Sequence, residues 1–172
     1  FSRSSNPQKI GVSAPTSIPC VVMFSKWLSI LPISQNRTRI SEALLDIYPD
    51  AKPYPNASCL IIGENPDKFV TKKKVAIIAG GTSDLNVCSE VKVALNVYGV
   101  YSETFIDVGV AGIHRLFNVI NDINQFDILI VCAGMEGALP TVIGGLLSQP
   151  IIAVPVSVGY GVSKNGKAAL YC

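Results

Sequence analysis

From Lys74 onward the chain alternates two patterns. One is an unbroken apolar run of five or six residues. The other is a longer stretch in which apolar residues recur every three or four positions. Val75-Ala76-Ile77-Ile78-Ala79 is a run of the first kind and predicts a buried strand. In the stretch after Asp84, Val87, Val91, Ala94, Leu95 and Tyr98 share one face of a helix that Gly99 ends. Glu103 to Val108 predicts a second strand, and Ile113, Leu116, Phe117, Ile120 and Ile123 mark the face of a second helix. Asp127 to Cys132 predicts a third strand, a third helix starts near Pro140, and Ile151 to Val154 predicts a fourth strand. Gly144 and Gly145 would let that third helix lie close to the sheet. Short connections and continuous apolar strands together indicate an α/β fold with a parallel, doubly wound sheet covered on both faces.

The upstream part is less regular. Residues 1–40 hold no sustained period, and residues 41–48 suit a short helix that starts at Ser41 and stops before Pro49. Pro49, Pro53 and Pro55 suggest a linker, and Cys59-Leu60-Ile61-Ile62 a short strand. The expected organisation is an N-terminal segment over 1–48, mostly unstructured, a linker over 49–73 and a folded domain over 74–172.

The chain is 49% hydrophobic and 15% charged, enough apolar material for a substantial core. Its net charge of +2 is uneven: residues 1–41 hold five basic residues and no acid, whereas residues 42–172 hold nine basic and twelve acidic residues, a balance of −3. The folded part therefore carries no basic patch of the kind nucleic acid requires. The acid-free, Ser- and Arg-containing start has the composition of a transit peptide or of an ordinary tail. Five cysteines without close pairs, and one histidine, make neither a zinc cluster nor a disulfide framework. The expected compartment is intracellular and reducing: the cytoplasm, or a plastid or mitochondrion if the start is a transit peptide. No apolar run is long enough to span a bilayer, the nearest being Ile18 to Ile33, which Lys26 interrupts.

In such a sheet, ligands bind beyond the carboxyl ends of the strands. Four glycine-rich loops belong there: Gly80–Asp84, Gly109–His114, Gly134–Gly137 and Ser157–Gly161. They carry Ser83, Asp84, His114, Arg115, Glu136 and Ser157, and three lead into helix starts, whose free N–H groups favour an anion such as phosphate. GGTSD is neither a dinucleotide nor a Walker fingerprint. Each residue has a structural alternative. Asp84 or Ser83 can cap a helix, Glu136 can be solvated, and Tyr160 can be merely exposed. Glu136, a lone acid between two glycines after a buried strand, is the best placed to have a raised pKa and to move protons.

Taken in order, "GGTSDL", "DVGVAGIHRLF", "AGMEGALPTVIGGL" and "VPVSVGYG" resemble the pyridinium-3,5-biscarboxylic acid mononucleotide synthase family. That family is related to the PurE-like aminoimidazole ribonucleotide carboxylases and mutases of purine synthesis. The likeness covers roughly residues 74–166, with a weaker match at "ASCLIIGE". It implies a flavodoxin-like sheet and a homo-octamer. It also implies carboxylation of the pyridinium ring of nicotinic acid adenine dinucleotide by carbon dioxide or bicarbonate, with hydrolysis of the phosphoanhydride and release of AMP. No tightly bound cofactor and no metal ligands are implied, although a divalent ion such as Mg is compatible with the substrate. The alternative is the purine reaction on aminoimidazole ribonucleotide.

Carried onto this sequence, the resemblance makes His114, Arg115 and Glu136 the catalytic candidates. His114 and Glu136 exchange protons. Gly80, Gly81, Thr82, Ser83 and Asp84, with Gly134, Gly137, Ser157, Gly159 and Tyr160, become the nucleotide-binding candidates. Ser83-Asp84 and His114-Arg115 match pairs in the purine enzymes, while Gly81 replaces a serine and Glu136 is typical of the pyridinium branch. The nucleophilic cysteine of that branch belongs to an "NSCA"-like motif after the next helix, and this sequence stops at "GKAALYC". The expectation is a C-terminally truncated member, with Cys172 not assigned the role and an inactive homologue as the alternative.

Overall fold

The computed structural model describes residues 20–23, 42–62, 69, 71–157 and 166–171. The expectations for most of the 1–40 segment, for Gly159 and Tyr160, and for Cys172 fall outside the described residues.

Four strands form the main sheet: β4 (Lys74–Ala79), β5 (Tyr101–Phe105), β6 (Ile128–Ala133) and β7 (Ile151–Pro155). All pair in parallel, in the order β5-β4-β6-β7. After β4 the chain goes to one side to make β5, then returns to the other side to make β6. This is the parallel, doubly wound arrangement that the alternating pattern predicted, and its order is consistent with the flavodoxin-like sheet that the resemblance implied. Its reversal leaves a crevice above the ends of β4 and β6.

Successive residues of a strand point to opposite faces. Ala76 and Ile78 of β4, with Leu129 and Val131 of β6, face α3 (Ile113–Ile123) and α4 (Ala138–Leu146). There they meet Leu116, Ile123, Leu139 and Ile143. Val75, Ile77 and Ala79, with Ile130 and Cys132, face α2 (Leu85–Val97) and its Cys88. Central strands covered on both faces explain their unbroken apolar sequence. Strand β7 is different: among the described residues nothing covers its Ile152, which is 53% exposed.

Helix α2 has a second apolar face. Its Val93 and Val97 pack on Ala57, Cys59 and Ile61. These belong to a small antiparallel sheet of β1 (Cys20–Met23), β2 (Lys52–Tyr54) and β3 (Cys59–Ile62), in the order β1-β3-β2, and to the turn between its last two strands. A short helix over 42–47, α1, precedes β2. The proline-rich stretch expected to act as a linker thus holds a strand and a 3-10 turn, Pro55–Ala57, and the strand expected at Cys59 has Leu60 and Ile61 at 0% exposure.

Several boundaries differ from expectation. β5 runs over Tyr101–Phe105 and stops short of Val108, because Asp107 adopts φ +62° and turns the chain, leaving Val108 N–H to bond to Ala79 C=O at 3.2 Å. Tyr98 and Phe117 are 68% and 51% exposed, so each predicted helix face is narrower than its apolar spacing suggested. α4 starts at Ala138, two residues before Pro140. Gly144 and Gly145 are not squeezed against the sheet: a side-chain carbon on Gly145 would meet nothing within 4 Å, and one on Gly144 only Ile151 at 3.5 Å.

At the lower end of the sheet, Asp127 ties β4 to β6. Its carboxylate accepts from Lys73 Nζ at 2.7 Å and from Lys74 N–H at 2.8 Å, and its own N–H donates to Lys74 C=O at 2.9 Å. These bonds hold the Asp127 carboxyl below its ordinary pKa, the Lys73 contact most of all.

Candidate functional site

Above the crevice, the loops that follow β4, β5 and β6 enclose a cavity of about 260 Å³. Gly80, Gly81, Ser83 and Asp84 come from the first loop, Gly109 to Ala111 from the second, and Gly134 to Glu136 from the third. Ala138 and Leu139, at the start of α4, complete the wall.

The first two loops touch at their backbones. A side-chain carbon on Gly109 would lie 2.4 Å from Gly80 C=O, so only glycine allows this approach. A glycine there was legible in the sequence as a loop residue, but its close contact was not.

Asp84 is the one buried charged side chain among the described residues, at 4% exposure. A 3-10 turn over Thr82–Asp84 carries it into place. It does not cap α2 through its side chain as expected, since no side-chain cap bond forms there. The carboxylate folds back instead: Oδ2 accepts from Gly81 N–H at 3.1 Å and Oδ1 from Ser83 Oγ at 3.4 Å. Burial pushes the Asp84 carboxyl above the ordinary carboxylate range, and the two hydrogen bonds only partly offset it. Behind it lie the buried thiols of Cys88 and Cys132, hydrogen-bonded to each other, which pushes Cys132 up and Cys88 down.

Glu136 reaches the same cavity from the loop after β6. The chain leaves β6 through Met135 at φ +57° and reaches α4 through Gly137 at φ +70°, with Gly137 N–H bonded to Gly134 C=O at 3.0 Å. A non-glycine residue held at positive φ is strained, and Asp107 and Met135 both occupy such positions in loops above strand ends. Glu136 itself is exposed. The burial expected to shift it is found at Asp84.

The structure therefore brings Gly80, Gly81, Ser83, Asp84, Gly134 and Glu136 to one cavity. Thr82 is exposed beside it and Gly137 stands just behind the wall, against Ala169 of α5 (Lys167–Tyr171). His114 and Arg115 do not line it. His114 is exposed in the first turn of α3, and Arg115 turns to Asp107, Nη1 to Oδ2 at 3.0 Å, with its Nε buried and without a partner among the described residues. Ser157 is exposed just past β7, and Gly159 and Tyr160 lie outside the described residues. Val110, Ala111 and Met135 lie in loops that the sequence placed here but were not singled out, and Ala138 and Leu139 were missed, because apolar side chains give no chemical signal.

Among the described residues no three His, Cys, Asp or Glu side chains cluster to hold a metal ion. No described helix is long and apolar enough to cross a membrane. Among the described residues no Lys or Arg lines the cavity, and no cysteine does.

A family model described as AIR carboxylase matches residues 74–172, beginning at the first residue of β4. An uncharacterized protein of Methanocaldococcus jannaschii is 44% identical over 115 residues, covering 66% of this chain and 45% of that protein. A protein of the same organism named N5-carboxyaminoimidazole ribonucleotide mutase is 35% identical over 85 residues, covering 48% of this chain and 52% of its own length. The chain thus spans about half the length of these relatives.

Proposed function

Because this chain belongs to the AIR carboxylase family, we propose that its loop cavity binds a nucleotide for carboxyl transfer to the ring. The ring we assign is the pyridinium of nicotinic acid adenine dinucleotide, with carbon dioxide or bicarbonate as the carboxyl source. AMP is released by hydrolysis of the phosphoanhydride.

The observation that carries this reading is the charge of the cavity wall. It holds two carboxylates, Asp84 and Glu136, and no basic side chain among the described residues. A ring with a fixed positive charge gains from Glu136 beside it, whereas a neutral aminoimidazole does not. The phosphates are served by backbone instead, through the N–H groups that open α4, whose Ala138 and Leu139 line the cavity.

The two acids then divide the work. A pyridinium carbon attacks carbon dioxide only after a nucleophile such as a thiolate has added to the ring and made it enamine-like. The carbon–carbon bond then forms, the ring proton is released and the nucleophile is expelled. Since no described cysteine lines the cavity, that group must come from outside this wall. Glu136, exposed at the mouth, accepts that proton and passes it to water. Asp84, its carboxyl held up by burial, keeps its proton to a higher pH than an ordinary carboxylate. Its burial disfavours the charged form, so it adds less negative charge beside an incoming carboxylate than an exposed acid would. Ser83 and the Gly81 N–H hold it in that position.

The 35% identical relative named as a mutase favours the purine alternative, aminoimidazole ribonucleotide. Calorimetric titration of the protein with each nucleotide separates the two readings. The dinucleotide is expected to bind more tightly, and Glu136→Gln to weaken it by about tenfold, the worth of one charge-assisted contact. Tighter binding of aminoimidazole ribonucleotide, unaffected by Glu136→Gln, would replace the pyridinium assignment with the purine one.

A further inference from the structure

A larger hollow, about 440 Å³, lies at the other end of α2 and shares no residue with the loop cavity. It opens between the Pro55–Ala57 turn, the outer face of α2 and the start of β5. β5 begins here at Tyr101, and its far end leads to the loop cavity, so the two hollows lie at opposite ends of the sheet.

Its lining is distinctive in two ways. First, it gathers aromatic rings that the core does not enclose. Phe69 and Tyr101 meet edge to face, centroids 5.4 Å apart at 89°, yet remain 55% and 37% exposed, and Tyr54 stands on the same wall. Second, its polar groups are one-sided. Lys92 projects from α2 with no carboxylate partner among the described residues, flanked by Ser89 and Asn96, and no described Asp or Glu lines the hollow. A mostly apolar concavity with a few convergent polar groups is the usual form of a small-molecule site.

We propose that this hollow is a second binding site, for a small planar aromatic anion. The rings of Phe69, Tyr101 and Tyr54 take the flat apolar body, since edge-to-face and offset contacts reward an aromatic partner over an aliphatic one. The Lys92 ammonium takes the carboxylate or similar anionic group, with Ser89 and Asn96 as neighbouring donors. The volume accommodates a two-ring acid. The assignment does not depend on the pyridinium reading of the loop cavity.

Titration calorimetry with 2-naphthoate tests it, with 2-naphthalenemethanol as the uncharged analogue and cyclohexanecarboxylate as the non-aromatic one. Naphthoate is expected to bind, and each analogue about tenfold more weakly. Lys92→Glu and Tyr101→Ala should each weaken naphthoate by a similar factor. Tyr98→Ser, which removes an exposed aromatic of the same region outside the hollow, should leave it unchanged. Lys92 is exposed, so Lys92→Glu is expected to keep the fold, and its circular dichroism melt verifies that. The proposal is overturned if naphthoate fails to bind at millimolar concentration. It is equally overturned if Lys92→Glu leaves the affinity unchanged in a folded protein, or if Tyr98→Ser abolishes binding.

Discussion

The loop after β4 and the loop after β6 each bring a carboxylate to the same cavity, and they are built in opposite ways. The first is held tightly, by its own turn and by the loop after β5. Gly80 lies against Gly109, and Asp84 is buried with its oxygens turned back onto Gly81 and Ser83. The second is fixed only at its ends, where Met135 and Gly137 take positive φ, and it leaves Glu136 exposed. The difference separates two roles that a list of acidic residues merges. One carboxyl is fixed by burial and by hydrogen bonds within the protein, and the other is exposed to solvent.

The strongest challenge to that contrast is at the tight contact. Gly109→Ala forces a carbon into the Gly80 carbonyl, which is backbone and cannot swing aside. The expected loss is about 3 kcal/mol of stability, at the upper end for overpacking, read from denaturant midpoints. A near-neutral outcome would mean that the first loop is not held rigidly. Gly137→Ala, in the second loop, should cost less, about 1–2 kcal/mol for a side chain in left-handed backbone, measured in the same way.

A subtler effect belongs to Asp84. Its folded pKa is raised, so the folded state holds this proton more tightly than the unfolded chain does. Its contribution to stability is therefore most favourable below the ordinary carboxylate pKa. It falls as pH rises from that value to the raised one, and above it the cost of the buried charge is fully present. Asp84→Asn should remove this dependence and flatten the change in melting temperature across that window. An unchanged pH profile in Asp84→Asn would show that the buried acid titrates normally. Glu136→Gln is the smallest change, expected within about 0.5 kcal/mol of the parent in stability, as for an exposed position. A large stability loss there would erase the contrast between the loops.

Much of this arrangement was legible from the residues. Strands covered on both faces must be apolar throughout, so β4 and β6 declared themselves, and the glycine-rich loops had to follow them. The direction of the Asp84 carboxylate was not legible, because an acid just before a helix suits a cap and a fold-back turn equally well. Nor was the packing of β3 against α2. Cys59 and Ile61 pack on Val93 and Val97, which form a second apolar face of the helix, whereas three nearby prolines read more naturally as a linker. His114 and Arg115 were expected at the strand ends, yet both lie in the first turn of α3, where His114 is exposed and Arg115 pairs with Asp107, and neither lines the cavity.

The Asp127 clamp has a geometric consequence. It levels the starts of β4 and β6, and the two strands are then the same length, Lys74–Ala79 and Ile128–Ala133, six residues each. Like two posts cut equal and set on one footing, they must end at nearly the same height. As an ion pair the Lys73–Asp127 contact is half in solvent and adds little to stability. As a datum line it fixes the level from which both loops spring, one strand length away. A slip of one position at that footing would tilt the rim of the cavity and turn every side chain of one strand to the wrong face.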